Sequence, residues 1–395
     1  MKYLWFGFCA DSVLRESITK NGGKMLSANV SQDSIVAGLA ENGVVCDSIN
    51  SMAVSAYPKY KECFIKKYFW TDGNNEHTRV GYFNIKYLNL LSKKYSLKKA
   101  AAKWARKNKK EEVTVFIYSM HLPLMAAASI VKKIIPAAKI ILIVPDLPQY
   151  MDMHMSRLKK ILKSYDWQCI KSTMKYIDKY VLYSKHMADF LKLSKEQYIV
   201  MEGSFDPSLI IEDEPKKDTD KLSVMYSGVI DLRYGIKELL DAISLLDDKY
   251  ELWFTGSGNA VPLIQEKASK DSRIKYYGYF PSRLDLLRKQ KEATMLISPR
   301  STQEVASKYC FPSKIFEYMV SGNPVISTRI GGIPDEYFEY LIPIENTSPD
   351  QIAAAIKKVG EMSPDERKSL GCGGKKFILE NKNNVAQAKR IIEFV

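Results

Sequence analysis

Short runs that are apolar throughout recur along this chain, each separated from the next by a longer charged segment of helical period. In the first half they occupy 2–8, 44–49, 114–120, 139–144, 179–183 and 197–201; in the second, 223–229, 251–256, 273–279, 293–298, 324–328 and 340–344. A strand apolar on both faces is buried only in a sheet that is covered on both sides, and alternating helices supply those covers. The rhythm predicts an α/β fold made of parallel sheets. Between the two series, 202–221 turns polar, through Gly203, Asp206-Pro207 and the run from Glu212 to Lys221, with little to bury. It predicts a first domain over 1–203, a linker over 204–221 and a second domain over 222–383, with a terminal helix at 384–395 packing back on the first domain. Two such domains would set a ligand cleft between the carboxyl ends of facing strands.

A length of 395 residues exceeds one compact domain, and 46% hydrophobic with 26% charged residues is ordinary globular composition, which excludes disordered and fibrous classes. No run approaches the roughly eighteen apolar residues of a spanning helix, and Asp11 interrupts the N-terminal run before a cleavable signal pattern forms. The expectation is a cytoplasmic protein. Cys9, Cys46, Cys63, Cys169, Cys310 and Cys372 are scattered without C-x-x-C or Cys/His spacing, so free thiols are expected, with no metal and no cofactor.

The net charge of +14 calls for a phosphate-bearing partner. Residues 85–110 hold ten Lys or Arg and no acid, interleaved with Tyr87, Leu88, Leu90, Leu91, Tyr95, Leu97 and Trp104; a second basic stretch over 157–175 opens with Arg157-Leu-Lys-Lys-Ile-Leu-Lys163, followed by Tyr165, Trp167, Lys171 and Lys175. Long lysine stems around aromatic rings suit an anionic membrane surface. No helix-turn-helix, zinc-finger or RNA-binding signature accompanies the charge, so nucleic acid is not expected. A solvated helix face is the alternative reading of the same charge.

The most informative stretch begins near Ile297. A strand ends near Pro299, a loop follows, and Phe311-Pro312-Ser313-Lys314 opens a helix that carries Glu317 one turn on. Free backbone N–H groups and a lysine at a helix start suit a diphosphate, and Glu317 is placed to accept hydrogen bonds from a ribose diol. In the alternative, Glu317 makes a surface pair and the helix entry is ordinary.

Phe311-Pro-Ser-Lys-x-Phe-Glu-Tyr-Met-x-Ser-Gly-x-Pro-Val-Ile326 resembles the nucleotide-sugar signature of family-four retaining glycosyltransferases with the GT-B fold, of the capsular and exopolysaccharide type. Tyr226-Ser-Gly-Val-Ile-Asp-Leu-Arg-Tyr-Gly235, Thr255-Gly-Ser-Gly258 and Pro145-Asp-Leu-Pro-Gln-Tyr-Met151 extend the resemblance over both halves. It implies two Rossmann-like domains, retention of configuration, a UDP-linked nucleotide-sugar donor and a lipid-linked or glycan acceptor at the inner face of the cell membrane. It further implies catalytic roles for His121, Lys314 and Glu317, and donor contacts from Gly22, Gly23, Gly228, Arg233, Gly256, Gly258, Tyr279, Phe280, Arg300, Tyr309, Phe311, Pro312 and Ser313. Asp146 falls on the acceptor side.

The sequence also departs from the family pattern. Tyr309 stands where the first of two signature glutamates is usual, Val229 where an arginine is usual and Tyr234 where a lysine is usual. Arg233, Arg300 and Lys314 are the cations left to meet the phosphates, and Glu304 is the nearest acid to the vacated position. His121 and Asp146 follow two strands of the first half. For both, a structural role is the alternative; for Gly22 and Gly23 it is a plain surface loop. Two other functions stay open: a non-catalytic partner subunit that kept the fold, and a nucleotide-sugar epimerase built on it.

Overall fold

The computed structural model describes residues 1–21, 27–150, 157–212 and 221–395. They form two compact units, one of residues 1–204 together with 384–395 and the other of residues 205–383.

The first unit is built on an eight-stranded sheet in the spatial order Tyr198–Val200, Lys179–Leu182, Lys139–Val144, Val113–Tyr118, Lys2–Gly7, Asp47–Asn50, Asn75–Arg79, Tyr68–Asp72. Seven strands run parallel, and the last pairs antiparallel with its neighbour. The central strand Val113–Tyr118 is buried along its whole length and Lys139–Val144 beyond its exposed first residue, as runs apolar on both faces require. Apolar periodicity accounts for six of these strands. It misses the hairpin of Tyr68–Asp72, which is aromatic, and Asn75–Arg79, which is polar; both strands are largely half-exposed because they close the sheet at an edge. The second strand begins at Asp47, later than the run at 44–49 suggests: Val44 and Cys46 are buried ahead of it, and the strand itself carries Ser48 and Asn50.

The helix Asn384–Phe394 packs on the helix Ser27–Glu41. A Cβ on Gly38 would lie 2.1 Å from the Asn384 carbonyl, so glycine is what lets the two backbones meet. Gln387 Nε2 donates to the Gly203 carbonyl at 2.8 Å and an Arg390 guanidinium nitrogen to Val200 at 2.9 Å, tying the last helix to the first sheet's edge.

In the second unit six strands, all parallel, follow the order Ile274–Tyr276, Tyr250–Ser257, Leu222–Val229, Met295–Ser298, Val325–Thr328, Leu341–Ile344. Alternate residues serve opposite faces. Val224, Tyr226, Leu252 and Phe254 pack with the helices Ile236–Ala242 and Pro349–Glu361 on one side. Met225, Trp253 and Leu296 pack with the helices Lys314–Val320 and Pro364–Asn381 on the other. The carboxyl ends of the central strands point to one edge, where the conserved geometry of such sheets places ligands.

Candidate functional site

At that edge the strands Leu222–Val229 and Tyr250–Ser257 end on paired glycines, Gly228 opposite Gly256. Gly256 has φ +131°, and a Cβ there would stand 1.8 Å from the Gly228 carbonyl. Gly228 has φ +118°, and a Cβ on it would lie 3.4 Å from Lys314 Nζ. Both positions therefore keep the backbone bare, and Gly228 does so beside an ammonium group. Gly258 lies just beyond, close against the Ile230 carbonyl.

Lys314 opens the helix Lys314–Val320, and its Nζ lies 3.8 Å from the centre of the Tyr226 ring. The residue keeps part of its surface exposed, yet its ammonium is enclosed closely enough that burial is the main cause of a pKa lowered to about 7. Arg300 lowers it further and Glu317 opposes the shift. Glu317 accepts from Arg283 Nη2 at 3.0 Å, so the surface pair left open by the sequence is made, with both side chains half-buried.

The helix is held by a residue that motif reading passed over. Tyr318 is fully buried; its hydroxyl accepts from the Ser227 backbone N–H at 2.8 Å and donates to the Ser227 carbonyl at 3.0 Å. Gln290 Nε2 donates to Ser227 Oγ at 2.8 Å. The residue just before Gly228 is thus fixed from two sides. The only sequence signal was the tyrosine beside Glu317.

The remaining donor-side residues divide. Arg300 donates through Nε to Ser307 Oγ at 3.1 Å and lies over the Tyr234 ring at 5.2 Å. Arg233 folds onto Asp231 through two bonds of 2.8 and 2.9 Å, which raises its pKa and lowers that of Asp231. In this conformation its charge is answered by a carboxylate. Phe311 is a core residue, packed on Phe316 and Tyr337 at 4.9 and 5.3 Å between ring centres, and Pro312 is buried beside it. Any ligand contact from these two passes through the backbone. Ser313 is exposed and makes no side-chain cap. Tyr279 is 65% exposed after Gly278, whereas Phe280 and Tyr309 are half-buried. Val229 is exposed.

Gly22 and Gly23 lie outside the described residues. His121 stands in the first unit at the start of the helix Leu122–Ile134, its ring edge-on to Phe8 at 5.9 Å. Its Nδ1 is buried with no hydrogen-bond partner among the described residues, and burial, reinforced by Lys93, lowers its pKa to about 3. The imidazole is neutral. Ser119, two residues before, has φ +73°, an uncommon backbone for a residue with a side chain. Asp146 follows the strand Lys139–Val144; burial is the main cause of the raised pKa values of Tyr118 and Tyr183, and the charge of Asp146 adds to it.

Among the described residues no group of three or more His, Cys, Asp or Glu side chains is arranged to share a metal ion, and no helix is long and apolar enough to cross a membrane. None of the six cysteines is joined in a disulfide among the described residues.

Comparison with solved structures defines the fold class. HepE of Anabaena in complex with UDP matches with a TM-score of 0.66 at 12% identity, over 100% of this chain and 99% of that one. The apo form of the lipopolysaccharide outer core galactosyltransferase WaaB matches at 0.65 and 13%, over 100% and 99%. Sucrose-phosphate synthase from Thermosynechococcus elongatus matches at 0.66 and 15%, over 100% and 98%. The chain has the GT-B fold, two Rossmann-like α/β domains. Within the second unit, residues 221–361 match the family described as Glycosyl transferases group 1. No curated protein sequence matches the chain.

Proposed function

We propose that the chain is a retaining glycosyltransferase that moves a sugar from a UDP-linked donor to a lipid-linked or polysaccharide acceptor, in capsule or exopolysaccharide assembly at the cytoplasmic face of the membrane. The observation that carries the reading is the placement of Lys314 Nζ against the bare backbone of Gly228, inside the segment that matches the glycosyl transferases. A diphosphate there would meet an ammonium and glycine backbone with no Cβ in the way.

In this reading Lys314 and Arg300 stabilise the negative charge that develops on the leaving diphosphate. Glu317 takes the ribose hydroxyls, exchanging its bond to Arg283 for them. Gly256 and Gly258 let the nucleotide approach, and backbone groups at Tyr279, Phe280, Phe311, Pro312 and Ser313 surround it, with Tyr309 nearby. Arg233 joins the phosphates only on release from Asp231. His121, neutral, offers a hydrogen bond to the sugar rather than a positive charge, and Asp146 serves the acceptor. The acceptor proton passes to an oxygen of the leaving phosphate. Retention is supported by likeness to a trehalose-6-phosphate synthase studied for glycosyl transfer with retention. A UDP donor is supported by HepE solved with UDP and with UDP and glucose.

Attachment to the membrane is assigned to the basic helices Leu88–Lys107 and Arg157–Met174. They present Leu91, Tyr95, Ile161 and Tyr165 at 66–71% exposure beside their lysines.

The test is release of nucleotide diphosphate from a panel of nucleotide-sugars, with and without a lipid-linked acceptor. Release from one UDP-sugar, lowered at least about tenfold in Glu317→Ala, fits the loss of charge-assisted hydrogen bonds to the ribose. Binding without turnover across the panel would favour a non-catalytic subunit, the reading to which Tyr309, Val229 and Tyr234 point.

A further inference from the structure

The hairpin that closes the first sheet helps to build a cavity that no residue of the proposed reaction uses. Four strands contribute one row of side chains in register: Trp70 opposite His77, His77 opposite Ser48, Ser48 opposite Trp5. All four line a cavity of about 420 Å³, with Asp11 and Asp72 also in its wall. Ser48 is the small member of an otherwise aromatic row. Trp70 and His77 stack at 5.1 Å and 21°, and Tyr68 stacks on Trp70 at 5.6 Å, so this wall is one rigid set of rings. Trp5 is fully buried and its indole N–H has no partner among the described residues.

The polar groups are already aligned. Asp11 accepts from Tyr68 Oη at 3.0 Å on one oxygen and from the Leu14 N–H at 2.8 Å on the other, which fixes the carboxylate and leaves each oxygen a further lone pair. Ser48 Oγ lies 2.7 Å from His77 Nδ1, so Nε2 is the ring nitrogen left for a ligand. Two carboxylates and no lysine or arginine line the space, which disfavours phosphate, nucleotide or sugar phosphate by like charge. Aromatic faces attract the weakly positive C–H edges of a sugar ring, while carboxylates and an imidazole take its hydroxyls. The rings stack side by side and do not converge into the cage that a quaternary ammonium needs. The volume falls at the small end of the roughly 300–1,000 Å³ typical of small-molecule sites.

We propose that this cavity binds one neutral pyranose unit of a glycan, holding the acceptor chain on the first unit through Trp70, His77 and Asp11. The word acceptor rests on the glycosyltransferase reading; the binding of a neutral sugar does not. The experiment uses the full chain and saturation-transfer NMR with methyl glucopyranosides and galactopyranosides at millimolar concentration, with UDP affinity measured in parallel. At least one glycoside should bind saturably, and Trp70→Ala should weaken it about tenfold or more, equivalent to about 1.4 kcal/mol, with UDP affinity unchanged. Asp11→Asn, which keeps the acceptor oxygen for the Leu14 N–H, should weaken it as well. Absence of saturable binding to the wild type overturns the proposal, as does binding that Trp70→Ala and Asp11→Asn leave intact, or preference for a sugar phosphate or choline over the glycosides. Sugar binding without any UDP affinity would instead sink the transferase reading and leave the cavity standing.

Discussion

Lys314 carries the clearest chemical consequence of its surroundings. With a pKa lowered to about 7, chiefly by burial, its ammonium is shared between charged and neutral forms at neutral pH. A diphosphate beside it favours the charged form, so binding of a nucleotide diphosphate should take up part of a proton near pH 7. Titration calorimetry in buffers of different ionisation enthalpy should detect that uptake, fading as the pH falls well below 7 and the group is already protonated. It should be lost in Lys314→Met; uptake unchanged in that variant would remove Lys314 from the phosphate site. The sign for stability follows from the same shift. The folded pKa lies below the unfolded value of 10.5, so the unfolded chain binds more protons between the two, and the contribution of this group to stability rises with pH from about 7 towards 10.5. His121 behaves alike in a lower window, from about 3 to 6.5.

At the scale of elements, the hydroxyl of Tyr318 ties the short helix Lys314–Val320 to the strand Leu222–Val229. Tyr318→Phe leaves the Ser227 backbone N–H and carbonyl, both buried beneath Gly228, without that partner. Denaturant unfolding should show a loss of about 1–3 kcal/mol, the usual result of orphaning a buried polar group. UDP affinity should fall with it, because the helix end bearing Lys314 is then less firmly held against the strand; unchanged stability and affinity would mean that water replaces the hydroxyl without penalty. This anchor was hard to read from sequence, since a tyrosine inside an apolar helix fits packing alone. Elements whose chemistry is repetitive were legible: the runs at 139–144 and 324–328 match strands at Lys139–Val144 and Val325–Thr328 because burial on both faces imposes an apolar run. The hairpin of Tyr68–Asp72 and Asn75–Arg79 was not, because its stacking of Tyr68, Trp70 and His77 across strands has no period along the chain. The site divided along the same line. Gly228, Gly256 and Lys314, drawn from separate motifs, stand together, whereas the closure of Arg233 on Asp231 and the burial of Phe311 depend on side-chain directions that spacing does not encode.

For the whole molecule, the net charge of +14 matters less than where the charge is placed. The helix Leu88–Lys107 has no acid in its sequence, and it and the helix Arg157–Met174 both pack on the helix Leu122–Ile134 of the first unit. Lys94, Lys98, Lys99 and Arg106 rim a groove that also exposes Leu91 and Tyr95. Each cation near an anionic leaflet contributes about 1 kcal/mol, and the exposed apolar side chains add burial in the interface. Co-sedimentation with vesicles rich in phosphatidylglycerol should therefore recover the protein at low salt and lose it as the Debye length shrinks, whereas phosphatidylcholine vesicles should retain little. Reversing three of these charges together, Lys94→Glu, Lys98→Glu and Lys99→Glu, should lower the partition coefficient by at least about a hundredfold on that scale. Release of nucleotide diphosphate from a soluble donor should persist in the same variant, because none of the three residues belongs to the second unit. Equal partitioning of the wild type and the triple variant would show the helix face to be merely solvated.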